Sequence, residues 1–166
     1  QYTTPADRAV VIVGPDDTPL VQADGSINPP LITGYADGNE TNTGLFGYQN
    51  DLTIKNAMVL GAADDGSYAW APISARAPGN TMTLDNVLME TTKWVFVQSN
   101  DHADNDLIVK NSYFVNMSGQ ACRRNGGVYD NVSNPTDTMW VENTTHVMAQ
   151  GMMYKFRNFP LTKTFF

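Results

Sequence analysis

One short pattern, apolar–any–apolar–any–Asn, returns four times and constrains the fold more than any other feature of the chain. It stands at Leu52-Thr53-Ile54-Lys55-Asn56, Met82-Thr83-Leu84-Asp85-Asn86, Leu107-Ile108-Val109-Lys110-Asn111 and Met139-Trp140-Val141-Glu142-Asn143. The four asparagines are 30, 25 and 32 residues apart. Self-similarity at such a period marks a solenoid. A second apolar segment follows each Asn: 58–60, 87–89, 113–115 and 147–148. A third is clearest at 94–97 and 152–156. Three short strands per repeat describe one coil of a parallel β-helix. Each strand then pairs with its equivalent in the next coil, about 4.8 Å away. Strand alternation sends the first and third motif residues inward and Lys55, Asp85, Lys110 and Glu142 outward. Asparagine tolerates the left-handed backbone of a sharp bend, and stacked amides can hydrogen-bond from coil to coil. Asn56, Asn86, Asn111 and Asn143 are therefore expected to form a structural ladder. A β-sandwich also has short strands and turns, but it has no reason to repeat Asn at one point of each unit. No window sustains a helical period.

The expected fold is all-β: a right-handed parallel β-helix of three-strand coils. Residues 1–44 read as irregular early coils and a loop, with strand candidates at 9–13, 20–21 and 31–32 and a looped excursion over 35–44. Residues 45–166 read as regular coils of the same single domain, with inserted turns at 61–67 and 131–138. No amphipathic capping helix is legible at either end, and Phe165-Phe166 suits the start of a further strand. The expectation is a solenoid lacking one or both caps, part of a longer one, which could also stack end to end into a fibre.

Composition narrows the function. Hydrophobic residues make up 42% and charged residues only 16%, with Asn, Thr, Gly, Ser and Asp filling the polar positions, as suits many turns between strands. A net charge of −7 disfavours a nucleic-acid partner, which needs a basic surface. No run approaches the roughly 20 apolar residues of a membrane-spanning helix. The single cysteine, Cys122, cannot form a disulfide within the chain and reads as a small buried residue. Nothing in the sequence ties His102 or His146 to it as a base. The chain starts at Gln1 without methionine, as a processed or excised protein would.

The four Asn-ended motifs resemble those of the pectin/pectate-lyase-like superfamily of right-handed β-helices, and especially its bacterial surface and secreted members. The resemblance covers residues 45–166, and 9–44 loosely. It implies an extracellular or cell-surface location. It leaves function open, since the superfamily holds lyases, hydrolases, esterases, adhesins and tailspikes. The Asp-Asp and Gly-His-Gly signatures of polygalacturonases are absent. The acidic calcium cluster and paired-arginine motif of pectate lyases are also not recognisable; Arg123-Arg124 is the nearest feature.

Counting along the repeat gives candidate positions. Twelve residues after a ladder Asn lie Gln98, Arg123 and Lys155, and two further on lie Asn100, Asn125 and Arg157. In register these would form outward rows, with Val97, Cys122 and Tyr154 inward. Gln98, Arg123, Lys155 and Arg157 are the glycan-binding candidates, because cations pair with uronate carboxylates. In a β-elimination they would also stabilise an enolate. Asp101, Asp104 and Asp106 are the only calcium candidates, in a segment that reads equally as an exposed turn, and no other cofactor is expected. Trp70 and Trp94 occupy similar places in successive coils, as core stacks or as a sugar platform. Four glycosylation sequons arise by chance in so Asn- and Thr-rich a chain. The leading expectation is a structural, adhesive or polysaccharide-binding protein whose partner is a polysaccharide or another surface protein. A polysaccharide lyase or a fragment of one, and a self-assembling fibre subunit, are the alternatives.

Overall fold

Each Asn-ended motif forms a strand, because alternating apolar residues bury one side of an extended chain. The computed structural model describes residues 2–14, 26, 31–33, 45–61, 69–92, 94–99, 102–117, 127–131, 136–149, 153–156 and 163–165. These residues contain fifteen strands and no helix. The first coil holds β1 (Tyr2–Thr3), β2 (Val10–Val13) and β3 (Leu31–Thr33). The second holds β4 (Phe46–Tyr48) and a long bent strand, β5 (Leu52–Leu60). The third repeats that form with β6 (Ile73–Ala75) and β7 (Thr81–Thr92). The fourth has β8 (Val95–Gln98), β9 (Asp106–Lys110) and β10 (Tyr113–Met117). The fifth has β11 (Gly127–Asp130), β12 (Thr138–Glu142) and β13 (Thr145–Ala149). A sixth begins with β14 (Tyr154–Lys155) and β15 (Lys163–Phe165).

Every strand pairing is parallel and joins neighbouring coils, so the chain is a parallel β-solenoid. One six-stranded sheet runs β1-β4-β6-β8-β11-β14, here called the third face. The other sheet bends at each ladder Asn into two faces. The first face carries the motif strands; the second carries β3, β10, β13 and the distal halves of β5 and β7. Leu52, Met82, Leu107 and Met139 are stacked partners, and the sequence repeat is thus the structural register. Coil one joins it through Val10 on Leu52 and Ile12 on Ile54. Residues 15–25 and 34–44 lie outside the described residues, including the excursion over 35–44.

The interior is a set of columns. Ile54, Leu84, Val109 and Val141 form one. Ile32, Val59, Met89, Phe114 and His146 form another. On the third face Phe46, Ile73, Val97, Tyr129 and Tyr154 stack. Two buried tyrosines need polar partners there. Tyr129 Oη lies 2.6 Å from Thr136 Oγ1. Burial, more than any neighbour, pushes the Tyr48 and Tyr129 phenols above their ordinary range, so both stay protonated in the core.

All four ladder asparagines adopt positive φ, between 49° and 54°. Asn86 Nδ2 donates to Asn56 Oδ1 (2.9 Å) and Asn143 Nδ2 to Asn111 Oδ1 (2.9 Å). The middle step is different: Asn111 Nδ2 donates to Asp85 Oδ1 at 3.1 Å. A second row of bends, unmarked by any common residue, follows on the second face. Thr91 and Asn116 both have φ of 57°, and Asn116 Nδ2 donates to Thr91 Oγ1 at 3.0 Å. Gly61 holds the matching place in coil two, its N–H bonded to Glu90 O at 2.9 Å. A third set of contacts opens the first face. Thr81 N–H donates to Asp51 Oδ1 (2.7 Å) and Thr138 N–H to Asp106 Oδ1 (2.8 Å).

These contacts expose an alternation within the repeat. Successive motifs open on Asp51, Thr81, Asp106 and Thr138, and their outward charges are Lys55, Asp85, Lys110 and Glu142. Lys55 Nζ sits 3.2 Å from Asp85 Oδ2, and Lys110 Nζ sits 3.7 Å from Glu142 Oε2. The structural unit is therefore a pair of unlike coils.

Candidate functional site

The outer side of the third face carries a single row: Thr3, Gly47, Ser74, Gln98, Asp130 and Lys155 are successive partners. This corrects the stack expected from counting twelve residues past each Asn. Asp130, not Arg123, stands between Gln98 and Lys155. The reason is the number of residues between strands. Nine residues, 118–126, separate β10 from β11, whereas β7 leads to β8 in two, 93–94. The counted frame slips by that difference. The same correction replaces Cys122 by Tyr129 between Val97 and Tyr154. Arg123, Arg157, Asn100, Asn125 and Cys122 lie outside the described residues.

Trp94 organises this face. It sits at the entry to β8, is 1% exposed, and its Nε1 donates to Asp130 Oδ2 at 3.1 Å. That bond satisfies one oxygen of a carboxylate that is itself fully buried. Trp70 stacks on the indole with centroids 5.3 Å apart and planes 13° from parallel. Lys155 Nζ lies 5.0 Å from the Trp94 ring centroid, within cation–π range. Thr92 Oγ1 is within hydrogen-bonding distance of the carbonyls of Ala69, Trp70 and Val95, pinning both tryptophan segments together. Of the two readings open for these tryptophans, the core one describes Trp94. Trp70 is half-exposed and leads the pair toward solvent. With Ala71 and Val95 they form a small cluster apart from the main core. Gln98 and Lys155 are half-exposed on the same row. An amide, an ammonium and an indole edge are therefore collected on one rigid surface, beside a shielded carboxylate.

Two of the three calcium candidates fall among the described residues. Asp104 is exposed at a bend with φ of 57°, and Asp106 accepts from the Thr138 amide. Asp101 lies outside the described residues. No group of three His, Cys, Asp or Glu side chains converges as a metal site among the described residues. His102 is half-exposed in the turn before β9, its N–H bonded to Ser99 O at 3.3 Å. His146 stacks on Phe114 with centroids 5.3 Å apart, and its Nε2 is 3.1 Å from Tyr154 Oη. Burial lowers its pKa, and burial raises that of Tyr154 to about 12. No helix among the described residues is long and apolar enough to cross a membrane.

The sequence reading missed Asp130, and the signal was available. Gly127-Val128-Tyr129-Asp130 continues the third-face pattern better than the segment around Arg123. It also missed the structural duties of Asp51 and Asp106, whose signal is the Asp/Thr alternation one residue ahead of each motif.

Family models, curated proteins and solved structures were each compared with the chain. None matches it. The geometry of the solenoid and its outer rows therefore carries the functional argument alone.

Proposed function

We propose that this chain is a non-catalytic, polysaccharide-binding module of a secreted or cell-surface protein, built as a right-handed β-helix of the pectate-lyase-like kind. The observation that carries the reading is the third-face row, where Gln98 and Lys155 flank Asp130 and Lys155 lies over the Trp94 ring on which Trp70 stacks. Sugars are held by such sets: an aromatic surface for the apolar side of the ring and fixed polar groups for its hydroxyls. Four carboxylates of the described coils have structural partners. Asp51 and Asp106 cap backbone amides, Asp85 holds Lys55 and Asn111, and Asp130 is buried against Trp94. Arg123 and Arg157 stay with the proposal as further cations for an acidic glycan.

Affinity electrophoresis against neutral and uronate-containing polysaccharides tests the reading. Retardation by at least one polymer is expected, with Trp70→Ala and the pair Gln98→Ala, Lys155→Ala each weakening it about tenfold, the worth of a stacking or charge-assisted contact. No retardation by any polymer would sink it. Growth of unsaturated-uronate absorbance on incubation would replace it with the lyase reading.

A further inference from the structure

We infer that His146 is an acid-released latch, which holds β14 on the solenoid and keeps Lys155 over the Trp94 ring. Its consequence for ligand release rests on the polysaccharide-binding reading; the latch itself does not.

β14 is the last strand of the third-face sheet and is two residues long. Three amides of the β11 segment donate to it: those of Val128 and Tyr129 to Met153 O (2.7 and 3.1 Å) and that of Asn131 to Lys155 O (3.2 Å). Its two side chains point opposite ways. Tyr154 enters the interior. Lys155 turns out to the row, its Nζ 5.0 Å from the Trp94 centroid. Whatever holds the Tyr154 ring therefore also places the ammonium.

His146 ends the interior column of Ile32, Val59, Met89 and Phe114, so a titratable ring follows four apolar side chains. It stacks on Phe114 and meets Tyr154 edge-on, with centroids 5.7 Å apart and planes at 84°. Its Nε2 is 3.1 Å from the phenol oxygen. A hydrogen bond from Thr144 supports that oxygen. The tyrosine proton is then directed at Nε2, and the neutral imidazole carries its own proton on Nδ1. A protonated imidazole has a donor at both nitrogens. Two donors then face each other, and a cation stands in an apolar column. Phe114 offers that cation a ring face, but burial outweighs the contact and lowers the histidine pKa. Among the described residues no other charge faces the ring. Tyr113 on β10 and Glu142 on β12 point outward, Asp130 and Lys155 lie on the outer row, and Tyr129 on β11 packs against Phe156. With the folded pKa lowered, the latch is shut well above pH 6.5 and loosens as pH falls through that value toward the folded pKa.

Amide hydrogen exchange, followed residue by residue by NMR and corrected for its intrinsic pH dependence, tests the latch at pH 7.5 and pH 5. In wild type the amides of Val128, Tyr129 and Asn131 should exchange several-fold faster at pH 5. The amide of Gly127, bonded to Trp94 O in the preceding coil, should keep its protection. His146→Gln and His146→Phe carry no titratable ring and should lose the acid response. Unchanged exchange in wild type, or the same acid response in both variants, overturns the latch. Equal acceleration at Gly127 overturns it too, since the whole sheet then opens and not β14 alone. Affinity electrophoresis tests the consequence, with a polysaccharide that wild type binds at pH 7.5. Its retardation of wild type should drop several-fold at pH 5, and its retardation of His146→Gln should not. Released amides with undiminished retardation overturn the link from His146 to the row. No retardation at either pH sinks the binding reading alone, because the exchange result judges the latch.

Discussion

Gly61 has room for a hydrogen and nothing larger, because a Cβ there would run into the carbonyl oxygen of Thr91 in the next coil. Backbone cannot step aside as a side chain can. Gly61→Ala is expected to cost about 1–3 kcal/mol, the usual range for overpacking, read as a lower urea midpoint. Gly47 is the control: its added Cβ would meet only the flexible Arg76 side chain, and Gly47→Ala should cost less than half as much. His146 makes a different demand. Its folded pKa is lowered by burial, so the folded state resists the proton that the unfolded chain accepts near pH 6.5. By linkage, stability is unaffected well above pH 6.5 and falls as pH drops through that value toward the folded pKa. Urea unfolding at pH 7.5 and pH 5 should show this loss. His146→Phe, which keeps a ring on Phe114, should remove that part of the pH dependence.

At the scale of the strand and its bend, the solenoid was legible where one residue type does one job in every coil. Asn56, Asn86, Asn111 and Asn143 share a bend that needs positive φ, and the recurrence betrays it. Asn143→Gly should therefore be tolerated better than Asn143→Ala by about 1 kcal/mol in thermal unfolding, since glycine enters the left-handed region freely. The second row of bends stayed hidden because Thr91 and Asn116 meet the same demand with two residue types, and coil two has Gly61 at the matching place without a positive φ. The outward row of the third face was misread at Arg123 for another reason. Parallel sheets fix strand register but not the number of residues between strands, and more residues separate β10 from β11 than β7 from β8. For Trp70 and Trp94, spacing gave equivalent places in successive coils. Exposure depends on Asp130 and Lys155 from later coils, which no local pattern reveals.

Across the whole molecule, each coil is held mainly by the coils on either side, so stability is a sum of neighbour terms and not one central core. β7 is bonded to β5 on one side and to β9 and β10 on the other, and it should exchange its amide hydrogens most slowly. β1 and β15 each pair with one described strand and should exchange fastest, a gradient measurable by mass spectrometry. The alternation of Lys55, Asp85, Lys110 and Glu142 adds something that stability alone does not. Each exposed pair contributes at most about 1 kcal/mol, too little to hold coils together. Yet if one coil is skipped, Lys55 meets Lys110 and Asp85 meets Glu142. If two are skipped, Lys55 meets Glu142 and the signs agree again. The charges thus act as a parity check on assembly, rejecting odd mispairings such as a swapped single coil, and permitting evolution to lengthen or shorten the rod two turns at a time.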